Sequence, residues 1–202
     1  MFHAFYFILT VDTLFNCAIN HIYVVSYLCA IFVLGTTLTK FIVDEMLGNI
    51  VRWLRILGFD TLAASDLRQN PSEDIDTKIL FLALESKRVL ITADLELAKR
   101  AKNIGVRVIE ISQNRRDTCE ILKYILTSLD IIAEARKNKL TRCPVCNGIL
   151  RVATREEAKK HVPPGVLDKT DRFWVCTNCN KFYWVGSHFH NIRKVISCVL
   201  GG

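Results

Sequence analysis

Along residues 40–132, short apolar runs alternate with segments whose apolar residues recur every three or four positions. Lys40-Phe-Ile-Val43 is an apolar run ending at Asp44 and reads as a strand. Met46, Leu47, Ile50, Val51, Leu54 and Leu57 then follow at helical spacing, with Gly58 placed as a C-cap. Thr61–Ala64 reads as a short strand and Asp66–Pro71 as a polar loop. Ser72 is placed to cap a helix carrying Ile75, Ile79, Leu80, Ala83 and Leu84. Val89-Leu-Ile91 is the next strand and ends in Thr92-Ala-Asp94. A short helix from Leu95 to Asn103 is closed by Gly105, and Val106–Ile111 is a further strand. Ile121, Leu122, Ile125, Leu126 and Leu129 mark a strongly periodic helix. Strands separated by helices imply a parallel sheet with right-handed crossovers.

Residues 133–142 are polar and basic and read as a linker. Residues 143–192 differ in kind: three prolines, several aromatics and little helical period. A module of this size hides little apolar surface and needs a staple. Cys143-Pro-Val-Cys146 and Cys176-Thr-Asn-Cys179 supply one. Each C-x-x-C pair can aim two thiolates at one ion, and four thiolates satisfy tetrahedral zinc with no open position. Two matched pairs without a secretory signal argue against disulfides or a redox motif. Such a closed site holds a fold and does not catalyse. Cys17, Cys29, Cys119 and Cys198 lie in apolar or periodic tracts and read as plain buried or membrane residues. Residues 193–202 read as a tail.

Residues 1–39 contain no Lys or Arg and one acid, Asp12. Phe15–Gly35 is about long enough to span a bilayer. One reading is a start codon placed too far upstream, with the folded protein beginning near Thr37–Lys40. Another is a membrane anchor with the basic domains held in the cytoplasm. A buried core helix comes third. The expected location is accordingly cytoplasmic, or membrane-anchored if residues 1–39 are translated and inserted.

Half of the 202 residues are apolar and 23% are charged, which excludes a disordered or fibrous chain. All 27 basic residues lie in residues 40–202 against 19 acids there, a net of +8 that favours a polyanionic partner. No Walker-type glycine loop, serine nucleophile elbow or H-E-x-x-H is present. The acids that stand out are Asp44 and Asp94, each just past an apolar strand, and Asp76, at the head of a buried helical stripe. Adjacent parallel strands would bring them to one cleft, where convergent carboxylates attract Mg2+ or Mn2+. Each has a plainer role as a helix cap or a first-turn acid. Arg52 and Arg55 share a helix face and Arg115-Arg116 precede the last helix. All four read either as solvated or as phosphate contacts.

Six motifs in order carry a resemblance: Phe41-Ile-Val-Asp-Glu-Met-Leu-Gly48, Arg52-Trp-Leu-Arg-Ile-Leu-Gly-Phe-Asp60, Val89-Leu-Ile-Thr-Ala-Asp94, Arg142-Cys-Pro-Val-Cys-Asn-Gly148, Phe173-Trp-Val-Cys-Thr-Asn-Cys179 and Tyr183-Trp-Val-Gly-Ser-His188. Together they resemble the Mut-seven C-terminal RNase domain family over about residues 40–192. The resemblance implies an α/β PIN-like domain, strand order 2-1-3-4, followed by a zinc ribbon. It implies a metal-dependent ribonuclease in which Asp44, Asp76 and Asp94 hold Mg2+ or Mn2+ and an activated water attacks phosphorus. RNA is the expected partner, alone or in a ribosome or other ribonucleoprotein, with Trp174, Tyr183 and Trp184 as base-stacking candidates. The alternative is a catalytically weak RNA- or ribonucleoprotein-binding module. Two departures stand out. The family's Gly-Tyr-Asp is Gly58-Phe59-Asp60 here, where Asp60 can be structural. Its Thr-Arg-Asp is Thr92-Ala93-Asp94, which removes an arginine expected to contact phosphate.

Overall fold

The computed structural model describes residues 38–70, 74–112, 114–115 and 117–201. The readings of residues 1–37, of Ser72 and of Arg116 lie outside the described residues. Among the described residues, no helix is long and apolar enough to cross a membrane.

β1 (Lys40–Val43), β2 (Asp60–Ala63), β3 (Val89–Thr92) and β4 (Val108–Glu110) form a parallel sheet in the order β2-β1-β3-β4, as expected. Because side chains alternate along a strand, each strand feeds two cores. Phe41, Val43, Val89 and Ile91 face α1 (Gly48–Ile56) and α5 (Thr118–Leu129). Ile42 and Leu90 face α3 (Ile75–Glu85) and α4 (Leu95–Asn103). The result is a sheet between two helical layers. Part of the polar stretch expected as a loop is helical: α2 (Ala64–Leu67) includes Asp66. The cap of α3 is Asp74, whose side chain accepts the Thr77 N–H.

Gly58 turns the chain from α1 into β2 with φ +94°, and a Cβ there would stand 2.1 Å from the Asn138 carbonyl oxygen. Both the conformation and the close approach require glycine. Asn138 ends α6 (Ile132–Asn138), so the stretch expected as a linker is mostly helix. Its Ala135 is fully buried in the sheet domain's core, and its Glu134 accepts hydrogen bonds from Thr39.

The cysteine-rich module has its own antiparallel sheet: β5 (Leu150–Ala153), β6 (Phe173–Cys176) and β7 (Phe182–Trp184), in that order. Two short helices, α7 (Arg155–Lys159) and α8 (Pro164–Leu167), fill the stretch between the cysteine pairs. A capping box from Thr154 and Glu157 starts α7. Phe173 and Val175 centre a small core with Ala153, Ala158 and Val162.

The last helix, α9 (Ser187–Leu200), takes in most of the expected tail. Val199 and Leu200 are buried in the sheet domain's core, and Arg136 of α6 donates to the Leu200 carbonyl at 3.1 Å. Cys119 of α5 and Cys198 of α9 form a disulfide, which corrects the reading of both as plain buried thiols. The ribbon is thus bracketed by two helices, α6 and α9, that pack on the sheet domain.

Arg55 ties the two modules together. It is 4% exposed, which corrects its expected place on a solvated, phosphate-facing surface. Its Nε donates to the Thr61 carbonyl on edge strand β2, and its Nη2 meets Asp66 at 3.0 Å. Its Nη1 donates to the Val145 carbonyl, inside the first cysteine pair, at 2.7 Å. Asn147 completes the contact: its Oδ1 accepts the Thr61 N–H and its Nδ2 donates to Asp60. Arg55→Ala is expected to lower the unfolding free energy in urea by about 3 kcal/mol, because buried carbonyls lose charged donors. A loss within about 0.5 kcal/mol would show that the contact is dispensable.

Candidate active site and metal centre

β1 and β3 are neighbours, with Val43 in register with Ile91, so Asp44 lies beside Thr92 at the carboxyl edge of the sheet. Thr92 is fully buried. Its Oγ1 donates to Asp44 Oδ2 at 2.8 Å and accepts the Asp94 N–H at 2.9 Å. One hydroxyl therefore fixes both strand-end aspartates. Asp44 Oδ1 accepts the Glu45 N–H and caps the 3-10 turn Glu45–Leu47. Asp94 Oδ1 accepts the N–H groups of Glu96 and Leu97 and caps α4. The described hydrogen bonds of the Asp94 carboxylate use Oδ1 alone.

Asp76 sits in the first turn of α3, near the same edge. Its carboxyl is raised above the ordinary aspartate value. Burial is the largest cause; the Arg100 charge opposes it; Asp44, Asp74 and Asp94 each push it further up. The four acids thus share one electrostatic field. They do not close into a tight triad. Among the described residues, only the four cysteines form a cluster with ligand atoms within 4.8 Å of one another. Asp76 is instead turned to Arg100, 3.3 Å away. Its place in the first turn of a helix, half-buried, puts it within reach of a cation on the neighbouring helix.

The donor set suits a hard divalent ion: carboxylate oxygens, mutually repelling, with Arg100 as the described cationic partner of Asp76. Asp44 and Asp94 are held in place by their hydrogen bonds, and Asp76 is paired with Arg100. Among the expected phosphate contacts, Arg52 is exposed and lies over the Trp53 ring, 5.3 Å from its centroid. Arg115 is exposed on the loop after β4, 4.1 Å from the Tyr124 centroid. Arg55 is committed to the fold. Asp60 lies at the opposite edge in a bidentate pair with Arg88, a structural role. Sequence reasoning missed Thr92 and Asp74. Thr92 lies two residues before Asp94 inside a quoted motif, and that spacing is the signal for it.

Cys143, Cys146, Cys176 and Cys179 gather at one point. The Sγ atoms of Cys143 and Cys179 are 3.7 Å apart, and those of Cys146 and Cys176 are 3.4 Å apart. A tetrahedral ion with Zn–S bonds near 2.3 Å separates its sulfurs by about 3.8 Å. The cluster fits a zinc ribbon. Burial pushes the Cys179 thiol up to about 12. Cys146, although burial opposes it, is lowered to about 6 by the Gly148 N–H and the other three sulfurs. Gly148 has no room for a side chain: a Cβ would lie 2.8 Å from Cys176 Sγ. The Tyr183 hydroxyl lies 3.0 Å from Cys143 Sγ, so Tyr183 supports the cysteine cluster. Its hydroxyl is raised by burial and by that contact.

A parallel sheet with its acids at the carboxyl edge and a four-cysteine module on its edge strand defines a PIN-like protein with a zinc ribbon. Residues 39–196 match the Mut7-C RNAse domain, and the chain belongs to that RNase-type family. Comparison with curated proteins found no match, and neither did comparison with solved structures.

The raised Asp76 carboxyl has a pH consequence. The folded chain holds that proton more tightly than the unfolded chain, so Asp76 costs stability as pH rises through the carboxylate range. Asp76→Asn is expected to raise the melting temperature at neutral pH, with the gain fading at acid pH. Thermal melts across pH check this. A lower melting temperature at neutral pH would show that the Arg100 pair outweighs the repulsion.

Proposed function

We propose that this chain is a metal-dependent ribonuclease that hydrolyses RNA phosphodiester bonds at the carboxyl edge of its sheet. The observation that carries the reading is the Asp44–Thr92–Asp94 string. It fixes the Asp44 carboxylate and the Asp94 backbone at one strand edge, with Asp76 in the same field. Asp44, Asp94 and, once freed from Arg100, Asp76 would hold Mg2+ or Mn2+. The chemistry such an ion supplies is Lewis acidity toward a phosphoryl oxygen and a lowered pKa for water. The chain's own part is positional. Thr92 keeps the Asp44 carboxylate in place, the α4 cap keeps Asp94 in place, and Arg115 lies exposed for a substrate phosphate. Arg100, freed when Asp76 turns away, becomes a second cation for the RNA backbone. In the ribbon, the four cysteines would hold one zinc ion whose role is structural.

A second reading has its own support. Asp44 and Asp94 both cap helices, and capping alone accounts for an acid at those positions. In that case the chain grips RNA without cutting it.

Asp94→Asn separates the two, because asparagine caps a helix about as well as aspartate while removing the charge. Labelled single-stranded RNA is incubated with Mg2+ or Mn2+ and protein shown by metal analysis to carry one zinc per chain. The wild type is expected to cleave and the variant to lose cleavage by orders of magnitude with its melting temperature kept. Equal rates in the two proteins, or no cleavage by the wild type, would favour the binding module.

A further inference from the structure

On the cysteine-rich module, a groove of about 620 Å3 runs from the end of α1 across β6 and β7 to the start of α9. Its walls are mainly apolar and carry Trp174, Trp184 and Phe189, with Arg142, Lys169 and Lys181 among its lining residues. No carboxylate lines it among the described residues. The surrounding residues 143–202 hold nine Lys or Arg against four Asp or Glu, a net of +5. Aromatic walls suit protein partners as well, but lysine is depleted at protein interfaces, and two lysines and an arginine with no acid suit a polyanion whose units have flat apolar faces. Every nucleobase has a face that stacks on an aromatic ring, and the backbone phosphates meet the cations.

We propose that this groove binds unpaired nucleotides of single-stranded RNA, with bases against Trp174 and Phe189 and phosphates against Arg142, Lys169 and Lys181; Trp184, on the opposite face of β6 and β7 from Trp174, packs against the Phe173 core. The proposal rests on the reading of RNA as the substrate and names where that RNA is held. The groove is not the acidic edge. Helix α1 starts close after Asp44 and ends at Ile56, which lines the groove. Its length, about 13 Å at 1.5 Å per residue, separates the two. A strand that reaches both must cross that distance. The groove therefore anchors RNA away from the bond that is cut, and duplex RNA, whose bases are already stacked on each other, enters it poorly.

The test is fluorescence anisotropy of the full chain with a short labelled single-stranded RNA and a duplex of equal length, without added divalent ions. Wild type is expected to prefer the single strand. Trp174→Ala is expected to weaken that binding about tenfold. Lys169→Glu, at an exposed position, is expected to weaken it and to flatten its salt dependence while zinc content and melting temperature stay unchanged. Wild-type affinity in both variants would overturn the groove and leave the ribonuclease reading standing. No binding by wild type would overturn the groove, whereas the ribonuclease reading falls only if the wild type also fails to cleave RNA with Mg2+ or Mn2+. Quenching of the chain's tryptophan fluorescence by an apolar helical peptide and not by RNA would overturn the proposal in favour of a protein partner.

Discussion

Arg55 lies with 4% of its surface exposed, between a helix, an edge strand and a loop 90 residues further along the chain. Burying a guanidinium is costly unless its donors are met. Here Nε, Nη1 and Nη2 meet the Thr61 carbonyl, the Val145 carbonyl and the Asp66 carboxylate. The planar fork points donors in several directions at once, which a lysine ammonium on a flexible stem does not do. Through this one side chain the outer edge of β2 is covered and the first cysteine loop is held against the sheet domain. Asn147 and Asp60 widen the contact, and Asp60 in turn holds Arg88 at the amino edge.

This arrangement divides the sheet's two ends. The amino edge and the edge strand are given over to docking: Asp60, Arg88, Asn147 and the cysteine loop. At the carboxyl edge Asp44 and Asp94 are held by Thr92 and by helix starts, with Asp76 raised by its neighbours. The loops at this edge follow directly from parallel topology, which brings every strand's exit to the same side. Acids collected there repel one another, and the fold tolerates the repulsion. A site that is electrostatically unfavourable when empty is one in which a bound cation stabilises the native state by mass action.

Much of this was legible in the sequence, and the parts that were not share a cause. Asp44 and Asp94 could be read because each ends a short apolar run, a local signal. The cysteine pairs could be read because metal-ligand spacing is local within each pair. Arg55 could not. It looks like a companion of Arg52 three residues earlier, and only the loop at Val145 buries it. The Cys119–Cys198 bridge, 79 residues apart, is non-local in the same way. The α6 helix hid behind charge: its segment is rich in Lys and Arg, yet Ala135 and Ile132, with Ile131 just before them, seat it against the core. Asp76 turns toward Arg100 on a neighbouring helix, a contact that the pattern of one segment cannot report.

If Asp44 and Asp94 carry the chemistry, a divalent ion is held at the carboxyl edge and not at the cysteine cluster. Anomalous diffraction from crystals of the zinc-loaded protein soaked in Mn2+, recorded at the manganese edge, tests it most directly. A manganese peak is expected within coordination distance of Asp44 and Asp94, with the Asp76–Arg100 pair opened. No peak there at Mn2+ concentrations that support RNA cleavage, or a manganese peak at the four cysteines alone, would contradict it.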